Sequence, residues 1–129
     1  MIYIKRIPIY FLLLCSLFSQ EHDPSAFYND SWALIIAIND YENVKKLNYA
    51  VEDAEDIREL LTTEFGFPKE NVQLVLNEDA TLKGIRQAIE AFAKKPKERD
   101  RVILYFAGHG ETEILANGGE RGYLLPIEG

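Results

Sequence analysis

The sequence predicts an α/β fold with a mostly parallel sheet covered by helices on both faces, and three observations carry that expectation. Short apolar runs rich in β-branched residues recur at residues 32–38, Val72–Leu76 and Arg101–Ala107. Each is too short for a helix, and the run at 32–38 is apolar at every position and the richest in β-branched residues, as a strand buried on both faces must be. Between them lie stretches whose apolar residues keep helical spacing, and strand-helix-strand order calls for right-handed crossovers between parallel neighbours.

Each element has its own signal. Residues 32–38 form the expected central strand, broken by the turn chemistry of Asn39, Asp40, Tyr41, Glu42 and Asn43. From Ala50 the apolar positions 50, 54, 57, 60, 61 and 65 share one helix face, and Gly66 followed by Pro68 stops that helix. Val72–Leu76 is the second strand, with Asn77, Glu78 and Asp79 after it and Thr81 as the expected N-cap of the next helix. That helix aligns Ile85, Ala88, Ile89 and Phe92 and ends at Lys94, Lys95 and Pro96. Arg101–Ala107 follows as the third strand, and Gly118 with Gly119 reads as a flexible loop before a short extended piece at 123–126. Open parallel sheets gather ligands at the carboxyl ends of their strands. This rule selects residues 39–43 and 108–113, and His109 lies in the second group.

Composition bounds the remaining possibilities. The 129 residues are 47% hydrophobic and 27% charged, which suits one small core. A net charge of −7 disfavours a phosphate-tracking surface, so nucleic acid is not an expected partner. Lys5 and Arg6 precede an apolar run at 7–18, and polarity returns at Gln20, Glu21, His22 and Asp23. This is the layout of a secretory leader, shorter than the roughly 20 apolar residues a spanning helix needs. A signal peptide over residues 1–19 is therefore expected, then a linker over 20–31 and a domain portion over 32–129. Export to the periplasm or beyond follows, with no membrane attachment after cleavage. Retention as an uncleaved anchor, or a lipid on Cys15, is the alternative; bulky Leu14 opposes the lipid. Cleavage after Ser19 removes Lys5 and Arg6 and takes the charge from −7 to −9. Cys15 is the only cysteine, and His22 and His109 are the only histidines, so no disulfide, metal site or cofactor is expected.

His109 stands between Gly108 and Gly110 at the end of a buried strand, a position that suits acid/base work or a structural turn. The string Leu104-Tyr-Phe-Ala-Gly-His-Gly110 follows Ala33-Leu-Ile-Ile-Ala-Ile-Asn-Asp-Tyr41 and Leu47-Asn-Tyr-Ala-Val-Glu-Asp-Ala54, and precedes Gly122-Tyr-Leu-Leu-Pro126. Taken in this order, the four resemble the caspase and metacaspase family of cysteine peptidases, specifically its bacterial branch. The resemblance covers residues 32–129 and implies a three-layer caspase-like sandwich. It implies that His109 assists a cysteine nucleophile acting on a peptide or protein substrate. Gly110 would supply an oxyanion N–H, the alternative being simple turn geometry. Asp53 would line a pocket for a basic residue, favouring cleavage after Arg or Lys; alternatively it complements the first turn of its helix. Ala50, Glu52 and Ala107 depart from the metacaspase pattern, and Asp53, Glu55 and Asp56 are weak evidence for calcium without an oxygen-rich loop.

In caspases the nucleophile follows the histidine by roughly 50 residues, which places it near position 160, past Gly129. Cys15 precedes His109 and belongs to the leader, so this chain alone is not expected to hydrolyse peptides and reads as the front part of a longer enzyme. A non-catalytic interaction module and an unrelated doubly wound domain are the competing expectations. The second is disfavoured because no aspartate ends the third strand and no Gly-x-Ser-x-Gly elbow exists.

Overall fold

The computed structural model describes residues 27–129; the expected leader with Cys15, and the linker as far as residue 26 with His22, lie outside the described residues. The elements are β1 (Ser31–Ala37), α1 (Ala50–Thr63), β2 (Val72–Leu76), α2 (Leu82–Phe92), β3 (Arg101–Ala107), β4 (Gly110–Ile114) and β5 (Glu120–Leu124). β1 is central in a parallel sheet ordered β2-β1-β3, with Ile35 opposite Leu74 on one side and Tyr105 on the other.

Alternation along β1 divides its side chains between two cores. Ala33, Ile35 and Ala37 pack with Ala50, Ala54, Leu61 and Phe67 on the α1 side. Leu34, Ile36 and Ile38 join Tyr41, Val75, Ala88, Phe92 and Ile127 on the α2 side. The result is the three-layer, parallel-sheet α/β arrangement expected from the apolar runs. Each fully buried aliphatic side chain on β1 contributes about 1.5–3 kcal/mol. At the amino end of the sheet, Asn71 Nδ2 donates to Asp30 Oδ1 (2.8 Å) and to the Ser31 carbonyl (3.1 Å), while Trp32 Nε1 donates to Asp100 Oδ2 (3.0 Å).

The helices differ in detail from the expected stripes. Thr81 caps α2 by accepting from the Gly84 N–H at 2.9 Å, as its side-chain oxygen predicts. α1 ends at Thr63, and Gly66 takes a left-handed φ of 69° just beyond it. Leu60 and Phe65 are exposed although they fit the apolar spacing. Ala50 and Ala54 let α1 lie close to the sheet, and Leu61 takes the buried side, about 100° around the helix from Leu60.

The largest departure lies after β3, where a loop and then an extended piece at 123–126 are expected; only 123–124 of that piece fall in a strand. β4 and β5 pair antiparallel, Gly110 opposite Leu124 and Ile114 opposite Glu120. Leu115 accepts from the Gly118 N–H (2.9 Å) and donates to the Gly119 carbonyl (2.7 Å), with Gly118 at a φ of 80°. This is a three-residue hairpin closed by a left-handed glycine. Every residue of both strands is exposed, so no in-out pattern advertised them.

Among the described residues no strand pairs with the outer edge of β3, where Val102 and Leu104 are 49% and 59% exposed. They border an apolar groove of about 350 Å³ shared with Leu34, Ile89, Phe92, Ala93 and Pro96. No helix among the described residues is long and apolar enough to cross a membrane. Two truncations test this division of burial. Leu34→Ala, at a fully buried position, is expected to lower unfolding free energy by about 2–5 kcal/mol. Leu104→Ala, on the bare edge, should change it by about 0.5 kcal/mol or less in the same urea titration.

Candidate active site

The parallel sheet brings the segment after β1 and the segment after β3 to the same end. Residues 38–49 carry no helix or strand and are held by backbone and amide contacts instead. Asn39 donates its N–H to Asn77 Oδ1 (2.8 Å), accepts the Leu47 N–H at its carbonyl (2.9 Å) and accepts the Val51 N–H at Oδ1 (3.3 Å). Asn77 has a φ of 40°, which asparagine tolerates better than most residues. Lys45 lies on this pinned loop, and its carbonyl accepts from His109 Nε2 at 2.7 Å. Because a carbonyl can only accept, Nε2 carries the proton, and in the neutral ring Nδ1 is the nitrogen free to take another.

Tyr41 contacts the same histidine from a second direction. Its hydroxyl accepts the His109 backbone N–H at 2.8 Å and donates to the Leu125 carbonyl at 3.3 Å. The two ring centroids are 4.8 Å apart at an interplanar angle of 51°. Tyr41 is 2% exposed. Burial pushes its hydroxyl above the ordinary value of 10.0, partly offset by the hydrogen bond from the His109 backbone. The protonated, donating form is thereby favoured. Gly108 is a glycine for want of space: a Cβ there would lie 2.4 Å from the Tyr41 hydroxyl and 2.8 Å from the Phe106 ring.

Gly110 is exposed beside the half-buried His109. The Leu125 N–H donates to the His109 carbonyl and the Leu115 N–H to the Gly119 carbonyl, which makes the odd-numbered residues of β4 the hydrogen-bonded positions of the ladder. Antiparallel pairs alternate, so the N–H of Gly110 points away from β5 and is not consumed by the hairpin. Asp53, by contrast, lies in the first turn of α1 with an exposed side chain, and no described group donates to its carboxylate. Its neighbour Glu55 is paired with Arg58 at 2.6 Å. Among the described residues no group of three or more His, Cys, Asp or Glu side chains is placed to hold a metal ion.

The structure thus gathers His109, Gly110, Tyr41 and the Lys45 carbonyl at one end of the sheet, a constellation reaching from β1 to β5. Residues 30–129 match the family described as caspase domain. The chain belongs to this caspase family. Its curated relatives include metacaspase-6 of Arabidopsis thaliana, 32% identical over 93 residues covering 68% of this chain and 25% of that protein. Metacaspase-1 of Eremothecium gossypii is 26% identical over 121 residues, covering 85% of the chain and 26% of the relative. Metacaspase-1A of Aspergillus oryzae is 28% identical over 106 residues, covering 74% and 25%. The chain therefore spans about a quarter of the length of the relatives it matches.

The sequence singles out His109, Gly110 and Asp53 and places Asn39 and Tyr41 in the candidate region 39–43 without a role, but it does not point to Asn77 or the Lys45 carbonyl. A backbone carbonyl has no residue signature, so Lys45 could not have been found. Tyr41 had one available signal, a tyrosine among turn residues at the carboxyl end of a buried strand.

Two measurements check the packing around His109. Gly108→Ala is expected to destabilise the chain by about 1–3 kcal/mol through the overlap with Tyr41 and Phe106. Gly122→Ala, which meets nothing within 4 Å, should leave the denaturation midpoint nearly unchanged. The raised Tyr41 value sets the sign of an alkaline effect. Above pH 10 the unfolded chain releases this proton more readily than the folded one, so stability is present below pH 10 and falls as pH rises further. Tyr41→Phe should flatten that part of the pH-stability curve.

Proposed function

We propose that this caspase domain is the histidine-bearing part of an exported cysteine endopeptidase. The observation that carries the proposal is the fixed His109 ring, with Nε2 engaged by the Lys45 carbonyl and Nδ1 left for proton transfer, next to the unused N–H of Gly110. In this reading Nδ1 accepts the proton of a cysteine thiol supplied by the parent protein beyond Gly129. The thiolate attacks the scissile carbonyl, and the Gly110 N–H stabilises the oxyanion. The imidazolium then returns its proton to the leaving amine, which leaves an acyl-enzyme for hydrolysis.

Asp53 is the proposed acid of the pocket for a basic residue before the scissile bond, giving cleavage after Arg or Lys. Its free, exposed carboxylate and its place in the stretch that resembles metacaspases support this role. Export rests on Lys5, Arg6 and the apolar run at 7–18. With no cysteine after Cys15 in these 129 residues, a second reading is a caspase-like interaction module without a nucleophile. A cysteine at the end of a further apolar strand in the parent protein separates the two.

The parent enzyme is the material for the decisive assay. With peptides carrying Arg before the cleaved bond, His109→Ala should lower kcat by about 10²–10⁴-fold. Equal turnover by wild type and variant would remove His109 from the mechanism. Asp53→Asn should raise KM for the Arg peptide about tenfold or more. Preference of the wild type for Asp over Arg before the cut would sink the Asp53 pocket.

A further inference from the structure

We infer that the Tyr41 hydroxyl is the positioning group of the His109 imidazole, inserted into the β4–β5 ladder where a direct backbone bond would otherwise form. Gly110 opposite Leu124 and Glu111 opposite Tyr123 make His109 and Leu125 the next pair toward the root of the hairpin. Such a pair at an odd-numbered β4 position exchanges both of its N–H···O bonds in a regular antiparallel ladder. One of them is present, the Leu125 N–H donating to the His109 carbonyl at 3.0 Å. In place of the other, the His109 N–H donates to Tyr41 Oη at 2.8 Å, and Tyr41 Oη donates to the Leu125 carbonyl at 3.3 Å. A side-chain hydroxyl from a different segment of the chain therefore occupies one rung.

That insertion has a geometric effect on the ring. It places the Tyr41 oxygen between the His109 N–H and the Leu125 carbonyl, while the Tyr41 ring centroid lies 4.8 Å from that of the imidazole. From the same loop, the Lys45 carbonyl fixes Nε2 at 2.7 Å. One loop thus grips His109 at both its backbone and its ring, and Gly108 leaves the room the hydroxyl occupies. Without the hydroxyl, two arrangements remain. Either the direct His109-to-Leu125 bond closes and draws the ring away from Lys45, or the His109 N–H loses its protein partner. Both change the imidazole itself, which distinguishes positioning from general support of the fold.

The inference rests on His109 being the reacting imidazole for its relevance to catalysis, but its test does not depend on activity. The probe is nitrogen-15 NMR of the imidazole in the 129-residue chain, in a His22→Gln background so that only one histidine is observed. The wild-type ring is expected to show a single tautomer protonated at Nε2, with slow exchange of that proton with water. In Tyr41→Phe the Nε2 proton should exchange about tenfold faster or be lost from the spectrum, with ring shifts moving toward a tautomer average. Tyr123→Phe, which removes an exposed hydroxyl bound to Glu113 on the same hairpin, should leave the ring signals in place. An unchanged ring signature in a folded Tyr41→Phe chain overturns the inference. If that variant does not fold, hydrogen exchange of the wild-type His109 amide decides: protection supports the insertion, and exchange at the rate of unstructured peptide overturns it. Failure of the catalytic reading shows up separately, as undiminished cleavage by His109→Ala in the parent enzyme.

Discussion

Burial of β1 on both faces is the constraint from which the rest of the structure follows. A strand with apolar side chains in both directions needs a cover on each side, and its hydrogen-bonding edges need a neighbour on each flank. Here β2 and β3 supply the flanks and α1 and α2 the covers. Because both neighbours run parallel to β1, each must be reached by a crossover, so the carboxyl ends of all three strands open on the same side. His109 and Lys45, 64 residues apart in sequence, meet there through that topology. The histidine's environment is thus a by-product of satisfying one central strand.

The parts legible in the sequence are those with a strong local signal tied to burial. The three apolar runs, the Thr81 cap and the glycine that follows α1 each announce themselves within a few residues. The α1 stripe was only partly legible, because spacing marks Leu60 and Phe65 as candidates but cannot say how closely the helix approaches the sheet. Ala50 and Ala54 set that approach, and their effect is visible only once the sheet is present. The β4–β5 hairpin was legible only at its turn and at 123–124, where the expected extended piece overlaps β5, and for a different reason. Its strands are exposed along their length, so the alternation that reveals a half-buried strand is absent, and only Gly118 after Asn117 hinted at the turn. Tyr41 carries no role legible in the sequence, since its partners lie 68 and 84 positions away.

The candidate site divides in the same way. His109 and Gly110 are tied to the scaffold by contacts the fold requires, whereas Asp53 sits exposed on the first turn of α1 with no described donor. A group that must transfer a proton within hydrogen-bond reach needs its orientation fixed before substrate arrives. A carboxylate that attracts a long cationic side chain works as a charge in a wall and tolerates more freedom. The contrast between a clamped imidazole and a loose carboxylate is what the two roles proposed for His109 and Asp53 would demand.

The bare edge of β3 carries a consequence for the chain as a solute. Val102 and Leu104 sit beside a row of backbone groups that no described strand engages. An unpaired edge next to apolar side chains is a template for strand addition between molecules, the first step of ordered aggregation. No proline or lysine interrupts Arg101–Ala107 to guard against it. Mutual repulsion at a net charge of −7 acts against such encounters at low ionic strength. Its range shrinks to about 10 Å in 0.1 M salt. The colloidal behaviour of this chain is therefore set by the ionic strength of its surroundings as much as by the stability of its fold.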